Sequence, residues 1–265
     1  MENEKKLSII YVNYRSKELL KKSIASLAQK PGLADDAEII VVNNDPEESL
    51  DNINQTFSAV TIIDQKKNLG LGAGTNLGAR YARGKYLWIL NADTEVLTQN
   101  IQEVKDILDK DASVGVVGSK LALPSGKTQE WSAGVEVSLW NLLRNNLGLA
   151  KSRLVWESSE IIECDWVAAT SLFIPKGLFD KLGGFDERIF MYFEDMDLCT
   201  RARKLGYKVM YFPQFSVTHF GGSSYSDNAA QKKHYYDSQE YYFRKHKGWW
   251  QWVLLKLVRV LFVKM

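Results

Sequence analysis

Five short apolar runs recur through the first 120 residues, at 7–12, 38–42, 60–63, 86–90 and 114–117. Their spacing constrains the fold more than any other feature. Helical periodicity fills the gaps at about 16–29, 73–82 and 99–108. Runs apolar on both sides, separated in this way, read as strands covered by helices on two faces. The alternation predicts an α/β fold with a doubly wound, mostly parallel sheet. In such sheets ligands gather at the carboxyl ends of the strands, where Asn13, Asn43 and the segment Asn91-Ala92-Asp93 fall.

Beyond Lys120 the pattern becomes irregular as far as Trp156, with an apolar run at 167–174 after it. This half is expected to complete the sheet and to build a second wall for a cleft. A helix is predicted over 193–205, closed by Gly206 where a left-handed residue is wanted.

The 265 residues are 45% hydrophobic and 25% charged, enough to bury a large core and unlike a disordered tail or a polytopic membrane protein. Neither cysteine, Cys164 or Cys199, belongs to a C-x-x-C pair, so no disulfide framework or thiolate zinc site is expected. That usage and a polar start at 1–6, without an export signal, predict a cytoplasmic protein. The formal charge of +2 is uneven: residues 229–265 hold eight Lys or Arg against two acids. An anionic membrane surface would attract such a tail, whereas a nucleic-acid binder would spread its charge.

Several segments can carry chemistry. Between Asn68 and Gly78 a glycine-rich turn joins a strand to a helix. It suits an anionic or polar ligand at a helix amino terminus, or else a structural tight turn. The glycines follow the third strand and not the first, which disfavours a dinucleotide fingerprint. Asp93 at a strand end can hold a divalent cation or cap a turn.

The densest acidic cluster is Glu194-Asp195-Met196-Asp197, preceded by Phe190-Met191-Tyr192-Phe193. Asp197 can pair with Arg201 one turn on, and Asp195 lies about 200° away from it around the helix, so the two acids face different partners. Burial among aromatics would raise a carboxyl pKa towards values useful to a base. His219 follows an apparent strand, and the loop after it, Gly221-Gly222-Ser223-Ser224, could serve as a lid.

Taken in order, these segments resemble the family-2 inverting glycosyltransferases of the GT-A fold, particularly the bacterial rhamnosyltransferase-like branch. The resemblance spans about residues 7–224 and is most specific in Gly183-Gly184-Phe185-Asp186-Glu187 and in Tyr192-Phe193-Glu194-Asp195-Met196-Asp197-Leu198-Cys199-Thr200-Arg201. It implies a catalytic domain at 1–224, divided into a nucleotide-sugar half (1–118) and an acceptor half (119–224), with carboxyl-terminal amphipathic helices at 225–265. Val12, Asn13, Tyr14, Asn43 and Asn44 would face the base and ribose of a dTDP- or UDP-sugar. The loop carrying Asn68, Gly70, Gly72 and Asn76 would close over the nucleoside. Asn91, Ala92 and Asp93 look like the family's short metal motif, with Asp93 and His219 binding Mg²⁺ or Mn²⁺. Asp195 aligns with the catalytic base, Glu194 would orient the acceptor, and Trp166, Phe185, Asp186 and Tyr192 would stand on the acceptor side. The acceptor would be a saccharide or a lipid-linked saccharide of cell-surface polysaccharide synthesis.

Asn43 stands where the family commonly has Asp, Asn91 replaces the first Asp of the metal motif, and Ala168-Ala169 stands where a Gly is usual. A sugar nucleotidyltransferase and a non-catalytic nucleotide-binding relative are the competing classes. The first would need a Gly-rich, Lys-bearing loop directly after the first strand, and the second would lose Glu194 and Asp195.

The segment 249–262 is too short and too charged for a comfortable membrane span. On a helical wheel Lys256, Arg259 and Lys264 oppose Trp250, Leu254, Leu257, Val258 and Leu261, the pattern of a helix lying in a membrane interface. A helix docked on the protein or on a second subunit is the other reading. The first places the chain peripherally on the inner face of the cell membrane.

Overall fold

The computed structural model describes residues 7–30, 36–51, 53, 60–65, 67–98, 101–221 and 228–262. The polar start at 1–6, the lid residues 222–224 and Lys264 lie outside the described residues. The strands are β1 (Leu7–Asn13), β2 (Ala37–Asn43), β3 (Val60–Asp64), β4 (Tyr86–Leu90), β5 (Thr94–Val96), β6 (Val114–Ala122), β7 (Ala133–Gly134), β8 (Ile162–Cys164), β9 (Trp166–Val167), β10 (Ser171–Pro175) and β11 (Lys208–His219). The helices are α1 (Lys17–Ala28), α2 (Leu71–Tyr81), α3 (Ile101–Lys110), α4 (Leu139–Asn146), α5 (Arg153–Trp156), α6 (Lys176–Lys181), α7 (Glu194–Lys204), α8 (Asn228–His246) and α9 (Gly248–Phe262).

One sheet runs in the order β3-β2-β1-β4-β10-β6-β11-β5, with β8 added on β11. Strands β3, β2, β1 and β4 are parallel, as the alternation predicts. The apolar run at 167–174 is not one strand. Ala168-Ala169-Thr170 break it into β9, which pairs with β7, and β10, which runs antiparallel between β4 and β6. Strand β5 is likewise antiparallel to β11.

Period-two alternation splits the side chains of β1 between two cores. Leu7, Ile9 and Tyr11 pack with Leu20, Ile24 and Leu27 of α1, while Ile10 packs with Ala79 of α2 on the opposite face. At the sheet centre Trp88 stacks on Phe173 at 4.7 Å and meets the edge of Phe215 at 5.5 Å. Burial of each such side chain contributes about 1.5–3 kcal/mol. The boundary between residues 118 and 119 falls inside β6, so both halves share one sheet. The carboxyl-terminal helices join it too, through Tyr242, Phe243 and Leu255.

Two local findings differ from the sequence reading. Helix α2 starts at Leu71, earlier than its periodicity suggests, because Asn68 Oδ1 accepts from the Gly70 N–H at 2.9 Å and turns the chain into the helix. The irregular stretch at 120–156 contains α4 and α5, where α4 is capped by Ser138, whose Oγ accepts from the Asn141 N–H at 3.2 Å. Eight residues are too few for a 3.6-residue period to stand out.

Candidate active site

A cleft of about 860 Å³ opens at the carboxyl ends of the parallel strands, within the roughly 300–1,000 Å³ typical of small-molecule sites. Val12 and Tyr14 line it from the end of β1, and Asn44 from the end of β2. Asn68 and Gly70 line it from the turn before α2. Asn44 Nδ2 donates to the Gly70 carbonyl at 3.0 Å, which holds that turn against β2, and its Oδ1 is buried without a protein partner. Such an oxygen is costly unless a ligand donor meets it. Gly70 has φ +80°, and a Cβ there would lie 2.5 Å from the Phe190 carbonyl, so only glycine lets the turn close on the 190 segment.

Asn91, Ala92 and Asp93 line the cleft after β4. Pairing of β5 with β11 sets Thr94 opposite His219, so the imidazole arrives beside Asp93 although 126 positions separate them in sequence. His219 Nε2 lies 3.2 Å from Asp93 Oδ1, and Nδ1 lies 2.8 Å from Gln129 Oε1. With the Gln129 carbonyl as acceptor, Nδ1–H donates to it, and Nε2 faces the Asp93 carboxylate. An imidazole nitrogen and a carboxylate oxygen side by side are ligand types that a divalent cation takes. Among the described residues no group of three or more His, Cys, Asp or Glu could hold a metal. The pair would therefore share its ion with oxygens of the substrate, and its imidazole suits Mn²⁺ better than Mg²⁺.

Glu194 and Asp195 enter the same cleft at the start of α7. The preceding residues Tyr192 and Phe193 both hold left-handed backbone, at φ 64° and 66°. Such non-glycine conformations cost of order 1–3 kcal/mol each, and the packing of Phe193 on Tyr235 and Tyr242 helps to hold them. Asp195 accepts from the Ala169 N–H at 3.2 Å and from the Met196 N–H at 2.7 Å. Burial raises the pKa of both acids; the Asp195 charge further raises that of Glu194, whose Oε2 has no protein partner. Both carboxyls are thus held above the usual carboxylate range, Glu194 the further of the two. Asp197 points away from the cleft, fully buried against Arg201 (2.7 Å), His246 (2.7 Å) and Lys245 (2.5 Å).

Trp166 and Tyr192 also line the cleft, but six of the expected contacts lie behind its surface. Asn13 Nδ2 donates to Asn43 Oδ1 at 3.0 Å and to Glu48 Oε2 at 2.9 Å, while Asn43 Nδ2 donates to Asp64 Oδ1 at 3.0 Å. These strand-end amides brace one another, because neighbouring parallel strands bring them side by side. Gly72 packs under Phe185, where a Cβ would meet another at 3.0 Å. Asn76 clips the 183–187 turn to α2: its Oδ1 accepts from the Phe185 N–H at 2.8 Å, and its Nδ2 donates to the Phe185 carbonyl at 2.9 Å. Phe185 is buried in the core. Asp186 docks α8 through Tyr241 and Lys245 and also holds Arg188 of its own loop. Burial alone would raise its pKa, but these partners together hold it far below the usual carboxylate range.

The sequence reading missed Gln129, Glu48 and the contribution of α8, which lines the cleft with Gln231, Lys232, Tyr235 and Tyr236. The dense tyrosines of α8 were the available signal. The expected polar face of α9 also differs. Arg259 turns onto α8, where it donates to the Tyr236 carbonyl at 2.8 Å, and Leu255 is buried, leaving Trp250, Leu254, Leu257 and Val258 exposed.

Solved glycosyltransferases share this architecture. The crystal structure of GalNAc-T7 with UDP, GalNAc and Mn²⁺ matches with a TM-score of 0.67 at 18% identity, over 84% of this chain and 44% of that one. A structure of S. aureus TarS residues 1-349 matches with a TM-score of 0.60 at 16% identity, over 81% of this chain and 60% of that one. This chain thus spans less than two thirds of either solved chain. The likeness gives the fold, which is GT-A.

Within that class it belongs to glycosyl transferase family 2, whose model matches residues 8–166. It is 25% identical, over 74% of its length and 71% of the relative's, to the N-acetylglucosaminyl-diphospho-decaprenol L-rhamnosyltransferase of Mycobacterium tuberculosis. It is 26% identical, over 75% of its length and 62% of the relative's, to the low-salt glycan biosynthesis hexosyltransferase Agl10 of Haloferax volcanii.

Proposed function

We propose that the protein transfers a sugar, rhamnose as the first candidate, from a dTDP- or UDP-linked donor to a saccharide or lipid-linked saccharide acceptor, with inversion at the anomeric carbon. The observation that carries this reading is that the Asp93–His219 pair and Asp195 line one cavity. The rhamnosyltransferase and its polyprenyl-linked acceptor, in the name of the mycobacterial relative, support the choice of sugar and acceptor class.

In this reading Asp93 and His219 hold the divalent ion, which when bound offsets the negative charge of the departing diphosphate. Asn44 offers its unpaired Oδ1 to the nucleoside. Lys232 is the one Lys or Arg among the described residues lining the cleft, and it adds positive charge facing an anionic donor. Asp195 takes the acceptor hydroxyl proton as the oxygen attacks the anomeric carbon from the side opposite the leaving group. Glu194, whose carboxyl burial favours in its neutral form, donates a hydrogen bond to the acceptor. The exposed apolar stripe of α9 would rest on the inner face of the cell membrane, near a lipid-linked acceptor.

Product analysis tests the whole reading. Incubation with dTDP-rhamnose, Mn²⁺ and a polyprenyl-diphosphate-linked N-acetylglucosamine should yield free dTDP and a glycosylated lipid. Release of pyrophosphate would indicate nucleotidyl exchange, and no product with any nucleotide-sugar would indicate a binding module.

Two substitutions separate the roles. Asp93→Ala should weaken Mn²⁺-dependent binding of the donor by about tenfold or more, measured by titration calorimetry; unchanged affinity would remove Asp93 from the metal site. Glu194→Gln, which copies the neutral acid, should keep turnover within about tenfold, a barrier change near 1.4 kcal/mol. Glu194→Ala should lose considerably more. A Gln variant as inactive as the Ala variant would show that the negative charge is needed.

A further inference from the structure

Helix α4 presents three faces, because its residues advance about 100° each. Leu139 and Leu142 pack against the core, and Asn141 and Asn145 line the cleft. Trp140, Leu143 and Leu147, spaced i, i+3 and i+7, form a third stripe that is 67%, 50% and 74% exposed. Leu149 and Leu154 continue the apolar surface through the turn and α5, at 59% and 74% exposure. Five large apolar side chains thus stand in water on one rim of the cleft, a concentration that single surface leucines do not explain.

The charges within this stretch are basic, and the acids at its two edges, Glu136 and Glu157, pair with Lys247 and Arg153. Residues 137–156 contain Arg144, Lys151 and Arg153 and no Asp or Glu. Helix α9 repeats the chemistry, with Trp249, Trp250, Leu254 and Leu257 exposed and no acid between residues 241 and 265. The two surfaces are tied together: Lys247, just before α9, pairs with Glu136, two residues ahead of the Ser138 cap of α4. Tryptophans and leucines interspersed with cations match a phospholipid surface, where apolar side chains enter the acyl boundary and cations such as Lys151 meet phosphates. Docking of a second copy through like-charged surfaces would set cations against cations.

We propose that α4 and α5 form a second membrane-contact element, which acts with α9 to seat this rim of the cleft on an anionic bilayer. Its purpose, to bring the cleft to a lipid-linked acceptor, rests on the functional reading above; the contact itself is tested independently of it. The asparagine face of α4 would then stand between the bilayer and the cleft, one helix width from the acceptor's head group.

The test is vesicle cosedimentation of the full chain with phosphatidylglycerol and phosphatidylcholine in equal parts, and with phosphatidylcholine alone. Trp140→Ser/Leu143→Ser/Leu147→Ser should weaken partitioning into the anionic vesicles by on the order of tenfold or more. Affinity for UDP or dTDP with Mn²⁺ should not change, since none of the three lines the cleft. Lys151→Glu/Arg153→Glu, at two exposed positions, should also weaken binding to the anionic vesicles, which keeps the test open if the triple variant folds poorly.

Wild-type partitioning by both variants overturns the proposal, as does equal binding of the wild type to neutral and anionic vesicles. Dissociation of a dimer by the triple variant with lipid binding unchanged also overturns it, assigning the stripe to a second copy. Lipid binding that follows the expectation in a protein that transfers no sugar supports the contact and removes the transfer reading instead.

Discussion

Exchange of Asp195 for Asn is expected to lower the rate of sugar transfer by about 10²- to 10⁴-fold, the usual contribution of a general base, while donor affinity stays near that of the wild type. The amide keeps the size of the side chain, and its one oxygen can still accept from the Met196 N–H or the Ala169 N–H, which Asp195 meets with different oxygens. It cannot take the acceptor's proton. A pH profile of kcat/KM checks the same assignment. A base works only when ionised, so activity should fall as pH drops through its pKa. Burial raises that pKa, so the acid limb should lie above the ordinary aspartate value of about 3.9. Normal turnover by the Asn variant would remove Asp195 from the chemistry.

The largest stability effect is expected at the neighbouring acid that faces the other way. Asp197→Ala would leave Arg201, Lys245 and His246 gathered around a lost carboxylate. Removing one partner from a buried ion cluster costs roughly 3–5 kcal/mol, which for a chain of this size lowers Tm by on the order of 10 °C. Because Lys245 and His246 end α8, the tyrosines of that helix should also loosen from the cleft, and donor affinity should fall with stability. Thermal melts in parallel with calorimetry would show both, and a Tm unchanged in the variant would mean that these cations are satisfied without Asp197.

Acid should act on this cluster in the same direction as the substitution. Burial would raise the pKa of Asp197, but His246, Arg201 and Lys245 outweigh it and hold the pKa below its usual value. The contribution of this carboxylate is complete above the unfolded value near 3.9 and is lost as pH falls through the lower native one. The Ala variant should therefore approach the wild type in Tm as the medium becomes strongly acid.

Local pattern was enough to place the strands that carry the cleft. The alternation of apolar runs and amphipathic stretches dictates β1, β2, β3 and β4 and the helices between them, because burial on two faces leaves little choice for the element after each strand. The same local reasoning separated Asp195 from Asp197, since the angle between two positions on one helix is set by backbone geometry alone. Asp93 was legible as a strand-end carboxylate for the same reason.

Tertiary structure decided which of these groups meet. Gln129 reaches His219 across 90 residues, and no spacing in the chain announces that contact. Asn13, Asn43 and Asn76 look like ligand contacts in sequence, yet each spends its amide on another part of the fold, because a buried amide takes whatever partner packing brings within reach. The role of α8 as a cleft wall follows from two aspartates, at 186 and 197, that bind the same lysine. Periodicity along a chain encodes which face of each element is buried, and so the sheet and its strand ends were written in the sequence. The partners across the cleft depend on how separate elements dock, and only the folded chain brings them together.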